Sequence, residues 1–388
     1  MLLTISDLPR LRRDLLAAHK KLVFAVGSFD LVHPGHGRYL AEARSCGDYL
    51  VVGVESSASR AKRVGAQAVI LDDKVRAEMV GGLRSVDATV VVDETDLLLI
   101  IKKLRPDVFY TVKTDWQPKP GLPQSRSLRR QEEAAAIKSY GGRLVKSDPF
   151  EPYISSAQLV RKVAEKKMVA LLEQHLGSTL PSLTHITEKP IAVYSQVPSN
   201  ILSLALMGGV ISFSSLAALR EKLTKMQKRV VFTAGTFDLL HVGHARYLAR
   251  ARELGDVLVV GVPSNAAVAR LKGVGRPLVD EVARAETLAY LRGVDYVVIF
   301  DHPTVLECLK ALQPNTFFTV DEPWNKGFKK SPEYKTVKAY GCKVALSPRQ
   351  SPFISASLII NRAAGERVKE IFKECLAVAR GAVQEKKA

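Results

Sequence analysis

The sequence predicts an α/β fold class: two tandem Rossmann-like units, each a doubly wound parallel sheet. Three observations lead there. GSFDLVHPGH at Gly27–His36 recurs as GTFDLLHVGH at Gly235–His244, and Gly27–Val54 matches Gly235–Val262 at 20 of 28 positions. The offset of 208 residues holds without a gap from Val23/Val231 to Trp116/Trp324, which marks an internal duplication. Short β-branched runs alternate with helical patterns in both copies, the signature of a parallel sheet with crossover helices. At 388 residues the chain suffices for two domains, each with its own core.

Each unit opens on a helical lead, ISDLPRLRRDLLAAHKK from Ile5 and ISFSSLAALREKLTKMQKR from Ile211. A strand follows, LVFAVG or VVFTAG. The chain then turns and a helix begins at about Gly35 or Gly243; in the second unit GHARYLARARELG closes on Gly255, a glycine stop. Next come the strand VLVVGV, the helix ETLAYLRGV, the strand DYVVIF, the helix TVLECLKAL, the strand TFFTV, the helix PEYKTVKAYG and the strand KVALS. The first unit repeats this order through YLVVGV, ATVVV, DVFYTV and RLVKS, giving about five strands per sheet. Domain boundaries follow: repeat 1 at 1–165, a linker at 166–210, and repeat 2 with a C-terminal helix at 211–388. Repeat 1 carries eight extra residues between Trp116 and Ile154, enlarging the Pro-rich, basic loop QPKPGLPQSRSLRRQ. Asp48, Asp87, Asp256 and Asp295 recur just before strands, where turn or interface roles are expected.

Composition narrows the function classes. A net charge of +18 suits nucleic acid, an anionic membrane or phosphorylated substrates. The basic residues are scattered and no aromatics alternate with them as a stacking platform requires, so no nucleic-acid partner is expected. Cys46, Cys308, Cys342 and Cys375 form no CxxC pair and do not correspond between repeats, which argues against a zinc site or disulfide framework. With no signal-peptide pattern at the start, a cytoplasmic location is expected. The uncharged stretch Pro190–Leu219 is interrupted by Pro, Asn, Gln and Ser, and its apolar core falls short of the roughly 20 residues a spanning helix needs. Burial between domains, without stable membrane insertion, is the expectation.

The repeated motif dictates a chemistry. Gly27 and Gly235 end a strand, and the histidines His33/His36 and His241/His244 fall three apart at a helix start, facing the crevice at the carboxyl ends of the strands. Backbone N–H groups there carry partial positive charge, so the site attracts anions before side chains are counted. Gly35 and Gly243, between the histidines, let a phosphate approach the backbone. Imidazoles can donate to phosphate oxygens as charge builds in an in-line displacement.

These residues resemble the HxGH nucleotidyltransferase superfamily. GTFDLLHVGHARYLARARELGDVLVVGV, RLKGVGRPLV and VDYVVIF are similar to the heptose-phosphate adenylyltransferase and glycerol-phosphate cytidylyltransferase group, and the tandem layout to ethanolamine-phosphate cytidylyltransferase. The resemblance implies transfer of a nucleoside monophosphate from ATP or CTP to a phosphorylated sugar or alcohol, with Mg²⁺ present, no protein metal ligand assigned, and pyrophosphate released. It implies that His241, His244 and Lys272 act catalytically, as do His33 and His36 where repeat 1 works. Gly235, Thr236, Phe237, Asp238 and Gly243 would form the nucleotide cradle, with Gly27, Ser28, Phe29, Asp30 and Gly35 in repeat 1. Arg276, Arg284 and Arg76 would bind phosphates, and Ser355, Ser357, Ser155 and Ser156 would meet the phosphate tail at a helix start. Asp238 is expected near the acceptor or metal, or as a structural cap. Related proteins pair through equivalent domains, so a pseudo-twofold dimer within one chain is expected, open to pairing again as a homodimer.

The copies diverge around the motif. Lys272, Arg276 and Pro277 face Val64, Ala68 and Val69 in repeat 1, where Lys62 and Arg63 lie nearby. Repeat 1 keeps VKTDW, with Lys113 and Asp115 on the expected acceptor side; repeat 2 reads VDEPW, with Asp321 in place of the lysine. Three readings follow: repeat 2 works and repeat 1 is structural or regulatory; both work on different acceptors; or repeat 1 alone, or neither, works. An ethanolamine-phosphate-type cytidylyltransferase and a non-catalytic nucleotide-binding regulatory module stand as alternatives. A tRNA synthetase does not fit, because no KMSKS-like lysine loop is present.

Overall fold

The computed structural model describes residues 1–65, 69–116, 124–148, 209–273, 276–321, 327–348 and 359. Each repeat contains a six-stranded, all-parallel sheet. In repeat 1 the strands are β1 (Leu2–Leu3), β2 (Leu22–Gly27), β3 (Tyr49–Glu55), β4 (Ala88–Val92), β5 (Val108–Val112) and β6 (Arg143–Ser147). In repeat 2 they are β7 (Gly209–Ile211), β8 (Val230–Ala234), β9 (Val257–Pro263), β10 (Tyr296–Phe300), β11 (Thr316–Val320) and β12 (Lys343–Ser347). The spatial orders β1-β4-β3-β2-β5-β6 and β7-β10-β9-β8-β11-β12 are the same topology twice. The chain reverses its direction of winding beside β2 and β8, so the segments that follow these strands sit at the switch-point crevice.

The central strands read as continuous apolar runs because helices cover both faces: Leu22, Val23 and Phe24, or Val259 and Val260, have no exposure. The sixth strand of each sheet, β1 or β7, exceeds the predicted five. With two or three residues, these edge strands are too short to show a period. Two short helices were also illegible, Ser57–Val64 and Asn265–Lys272, each eight residues long and started by a serine, Ser56 or Ser264, whose hydroxyl accepts an N–H three residues on. Lys272 therefore stands at a helix end rather than in a loop.

The recurrent aspartates hold turns, as expected. Asp48 and Asp256 accept from the N–H of Lys21 and Arg229, and Asp87 and Asp295 from Leu50 and Leu258. The helix expected to close on Gly255 ends at Arg252, and Gly255 lies in the following turn, where a Cβ would lie 2.7 Å from the Arg229 carbonyl oxygen.

The repeats meet through equivalent segments. One continuous apolar cluster runs from Tyr39, Leu40, Leu83 and Val86 to Tyr247, Leu248, Leu291 and Val294. Leu83 and Leu291, equivalent positions, pair with each other as an antiparallel bridge. Around them the contacts come in reciprocal pairs. Arg84 N donates to Tyr290 O and Arg292 N to Gly82 O; the Arg84 guanidinium donates to the Leu291 and Val294 carbonyls, and that of Arg292 to Val86. Most of the uncharged stretch Pro190–Leu219 and of the linker lies outside the described residues, as does the C-terminal helix. No described helix is long and apolar enough to cross a membrane.

Candidate active site

In repeat 2 the chain leaves β8 through Gly235–Leu240, and His241 caps the helix Val242–Arg252 in extended conformation. Phe237 holds a left-handed backbone, φ 48°, which is uncommon for a bulky residue and marks a turn fixed by its surroundings. That turn lays the Phe237 ring over Gly235, where a Cβ would come within 3.0 Å of it, and edge-on to His244 at 5.1 Å. Repeat 1 repeats this, with Phe29 at φ 50° and its ring 5.1 Å from that of His36. The glycine of the motif thus makes room for an aromatic ring that positions a histidine. The helix is pinned to the sheet by the Tyr247 hydroxyl, bonded to Thr233 Oγ1 and donating to Phe318 O, as Tyr39 donates to Tyr110 O in repeat 1.

The two histidines of each repeat stack, with ring centroids 3.8 Å apart. Burial pushes His33 and His241 down to about 4. His36 and His244 fall well below the ordinary value, first through burial and then through the neighbouring imidazole; the Lys272 charge lowers His244 further, against the Leu239 backbone. Nδ1 of His33 and of His241 is buried with no hydrogen-bond partner among the described residues. At neutral pH the rings are therefore uncharged and can donate one N–H each without giving up a proton.

This depression links to stability. The unfolded chain takes up these protons near pH 6.5 and the folded chain only near 4, so stability is full above about 6.5 and is lost as pH falls toward 4. The urea midpoint is expected to drop over that window. A bound triphosphate should raise the imidazole titrations, read by proton NMR; imidazoles titrating near 6.5 in the unliganded protein would contradict this assignment.

Around the pair the copies differ. In repeat 2, Asp238 is buried and its carboxylate accepts from Leu278 N (2.7 Å), Val279 N (2.9 Å) and Arg276 Nη1 (2.8 Å). It orients Arg276 and fixes the following loop. Lys272 lies within electrostatic reach of His244; partial desolvation lowers its ammonium pKa, Asp238 raises it, and Arg276 and Arg284 lower it. Arg284, expected at a phosphate, has its guanidinium engaged by the chain itself. It is 2% exposed and donates to the carbonyls of Val279, Thr236 and Pro263 and to Asn265 Oδ1. It therefore stands behind the cradle and shapes it. Arg76, with no exposure, does the same in repeat 1, donating to Leu71 O, Ser28 O and Ser57 Oγ.

In repeat 1 the space is braced by ion pairs. Asp30 is buried against Arg60 and lies 3.8 Å from Arg76. Glu55 binds the Arg63 guanidinium and accepts from the Ser28 hydroxyl at 2.6 Å, while Arg63 also donates to that hydroxyl. Burial opposes the Glu55 charge, yet the bonds from Arg63 and Ser28 hold its carboxyl below the usual range, so it is ionised. Arg60 and Glu55 escaped the sequence reading. They become visible when set against Val268 and Pro263, their apolar counterparts at the 208-residue offset. A cavity of about 240 Å³ opens beside them, lined by residues including Ser28, Glu55, Arg63, Thr111, Asp115 and Arg130. Asp115 thus joins the crevice. Lys113 instead pairs with Asp148 at 2.6 Å and does not line the cavity. Ser155, Ser156, Ser355 and Ser357 lie outside the described residues.

Parallel sheets with a stacked histidine pair at the switch point occur here in two copies, and repeat 2 alone adds Lys272 and the oriented Arg276. Residues 24–162 and 232–362 match the cytidylyltransferase-like family, and the chain belongs to it. It is 40% identical over 153 residues to the Bifunctional protein HldE of a Nitratiruptor species, covering 39% of this chain and 31% of that protein. To the Bifunctional protein HldE of Pelobacter propionicus it is 47% identical over 135 residues, covering 34% and 26%. The chain thus spans about a third or less of the length of these curated relatives. Among solved structures, the lipopolysaccharide core biosynthesis protein from Thermoplasma volcanium matches at 26% identity and a TM-score of 0.26, over 34% of this chain and 98% of that one.

Proposed function

We propose that the chain is a nucleotidyltransferase that moves a nucleoside monophosphate from ATP or CTP to a phosphorylated sugar or alcohol, and that repeat 2 is the working copy. One contrast carries the choice. In repeat 2, Lys272 lies within electrostatic reach of His244 and Asp238 orients Arg276; in repeat 1 the two positions are Val64 and Ala68, and the nearby Arg63 is paired with Glu55.

In this reading a phosphate oxygen of the acceptor attacks the α-phosphorus, the bond from that phosphorus to the bridging oxygen breaks, and pyrophosphate departs with the electron pair. The neutral imidazoles of His241 and His244 donate N–H to the oxygens that gain charge, and Lys272 and Arg276 balance the triphosphate. The described residues offer no cluster of three metal-ligating side chains, and both Asp238 oxygens are engaged. Mg²⁺ would therefore arrive on the nucleotide phosphates, which suits an ion that keeps most of its water. Incubation with ATP or CTP and a panel of sugar and polyol phosphates should release pyrophosphate with at least one pair. Tight nucleotide binding without pyrophosphate from any acceptor would favour the regulatory reading instead.

A further inference from the structure

We infer that repeat 1 is a positioning partner for the repeat 2 site, acting through Arg38 and the helix Glu281–Ala289. The inference rests on the assignment of repeat 2 as the working copy.

The helix Glu281–Ala289 is the hub of the repeat 2 cradle. Arg284 from its first turns holds the carbonyl of Thr236 in the motif loop, that of Pro263 at the end of β9, and Asn265 at the start of the helix that carries Lys272. Glu281 accepts the N–H of Asn265, and Asp280, its cap, accepts from the Asn265 amide. Wherever this helix sits, the motif loop and the Lys272 helix must follow.

What fixes the helix comes from the other repeat. Arg38, two residues past His36 on the motif helix of repeat 1, forms a two-pronged ion pair with Glu286 at 2.6 and 2.8 Å, with the side chains 16% and 6% exposed. Tyr290, just past the helix, packs onto Gly37, where a Cβ would overlap its ring. The equivalent contact on the other side of the pseudo-twofold axis is weaker. Arg246 and Glu78 pair with side chains 47% and 44% exposed, and Ala245 faces Gly82 in place of the glycine–tyrosine pair. A buried two-pronged ion pair resists displacement far more than a solvated one, so the interface grips the repeat 2 helix harder than its repeat 1 counterpart.

The asymmetry also keys the pairing. Two copies of repeat 2 facing each other would set Ala245 against Tyr290, where even the methyl of an alanine has no room; repeat 1 supplies the glycine. The half with the braced pocket is thus the half shaped to hold the other.

Two readouts test this in the full-length chain: affinity for ATP and CTP by calorimetry, and amide hydrogen exchange across Thr236–Asp238. Arg38→Ala should weaken nucleotide binding about tenfold and speed exchange at Thr236–Asp238, with Arg38→Lys regaining part of both. Glu78→Gln, at the solvated counterpart, should change affinity by less than about twofold. Should Arg38→Ala fail to fold, Glu286→Gln keeps the shape, removes the charge and gives the same readouts. In either folded variant, unchanged exchange at Thr236–Asp238 overturns the inference. Absence of nucleotide binding in the unaltered chain would instead overturn the proposed function, while the exchange experiment still decides on positioning.

Discussion

His244→Ala is expected to lower kcat for pyrophosphate release by about 10²–10³-fold with the chain still folded, whereas His36→Ala leaves turnover within about twofold. The difference arises from the surroundings and not from the histidines, whose geometry is the same in both copies: rings stacked at 3.8 Å, desolvated and neutral. A neutral imidazole contributes by donating an N–H where charge develops, and removal of one such donor raises the barrier by about 3–4 kcal/mol. Lys272 and Arg276 bring the triphosphate to the donors in repeat 2. In repeat 1 those two positions are Val64 and Ala68. Steady-state assays of both variants decide, and equal losses would show two working sites.

Arg284→Met should destabilise the protein by about 3–5 kcal/mol, read as a shift in urea unfolding. Methionine fills much of the volume but leaves the acceptors on Val279, Thr236, Pro263 and Asn265 buried without their donor. A buried acceptor left unsatisfied costs about 1–3 kcal/mol, and several here depend on one guanidinium. Burial lowers the Arg284 pKa, while Asp238, Glu281 and Asp280 raise it, so the charge is held by neighbouring carboxylates. A phosphate-contacting arginine would behave differently: its loss would weaken nucleotide binding and leave the unfolding curve in place.

The duplication made much of this legible. Strands such as Thr316–Val320 and Lys343–Ser347 stand where their apolar runs ended, and the paired histidines fall at a helix start because Gly-x-Phe-Asp turns the chain there. The edge strands Leu2–Leu3 and Gly209–Ile211 were hidden because two or three residues carry no period. The surroundings of Arg284 were hidden for a different reason. Its motif position suggested a phosphate, but its role depends on carbonyls brought to it by β9 and by the loop after β8, which only the folded chain brings together. Asp238 was left between two roles for the same cause, since its partners Leu278 and Val279 lie 40 and 41 residues away. The reciprocal Arg–Glu pairs show how the pseudo-twofold pairing expected from the duplication is made, and the 208-residue offset could have located them.

Division of labour between nearly identical motifs is the central claim, and the number of nucleotides bound per chain tests it most directly. Calorimetric titration with ATP or CTP in the presence of Mg²⁺ should give one site per chain, lost in Lys272→Ala and retained in Arg63→Ala. Two sites per chain, or one site that survives Lys272→Ala, would contradict it.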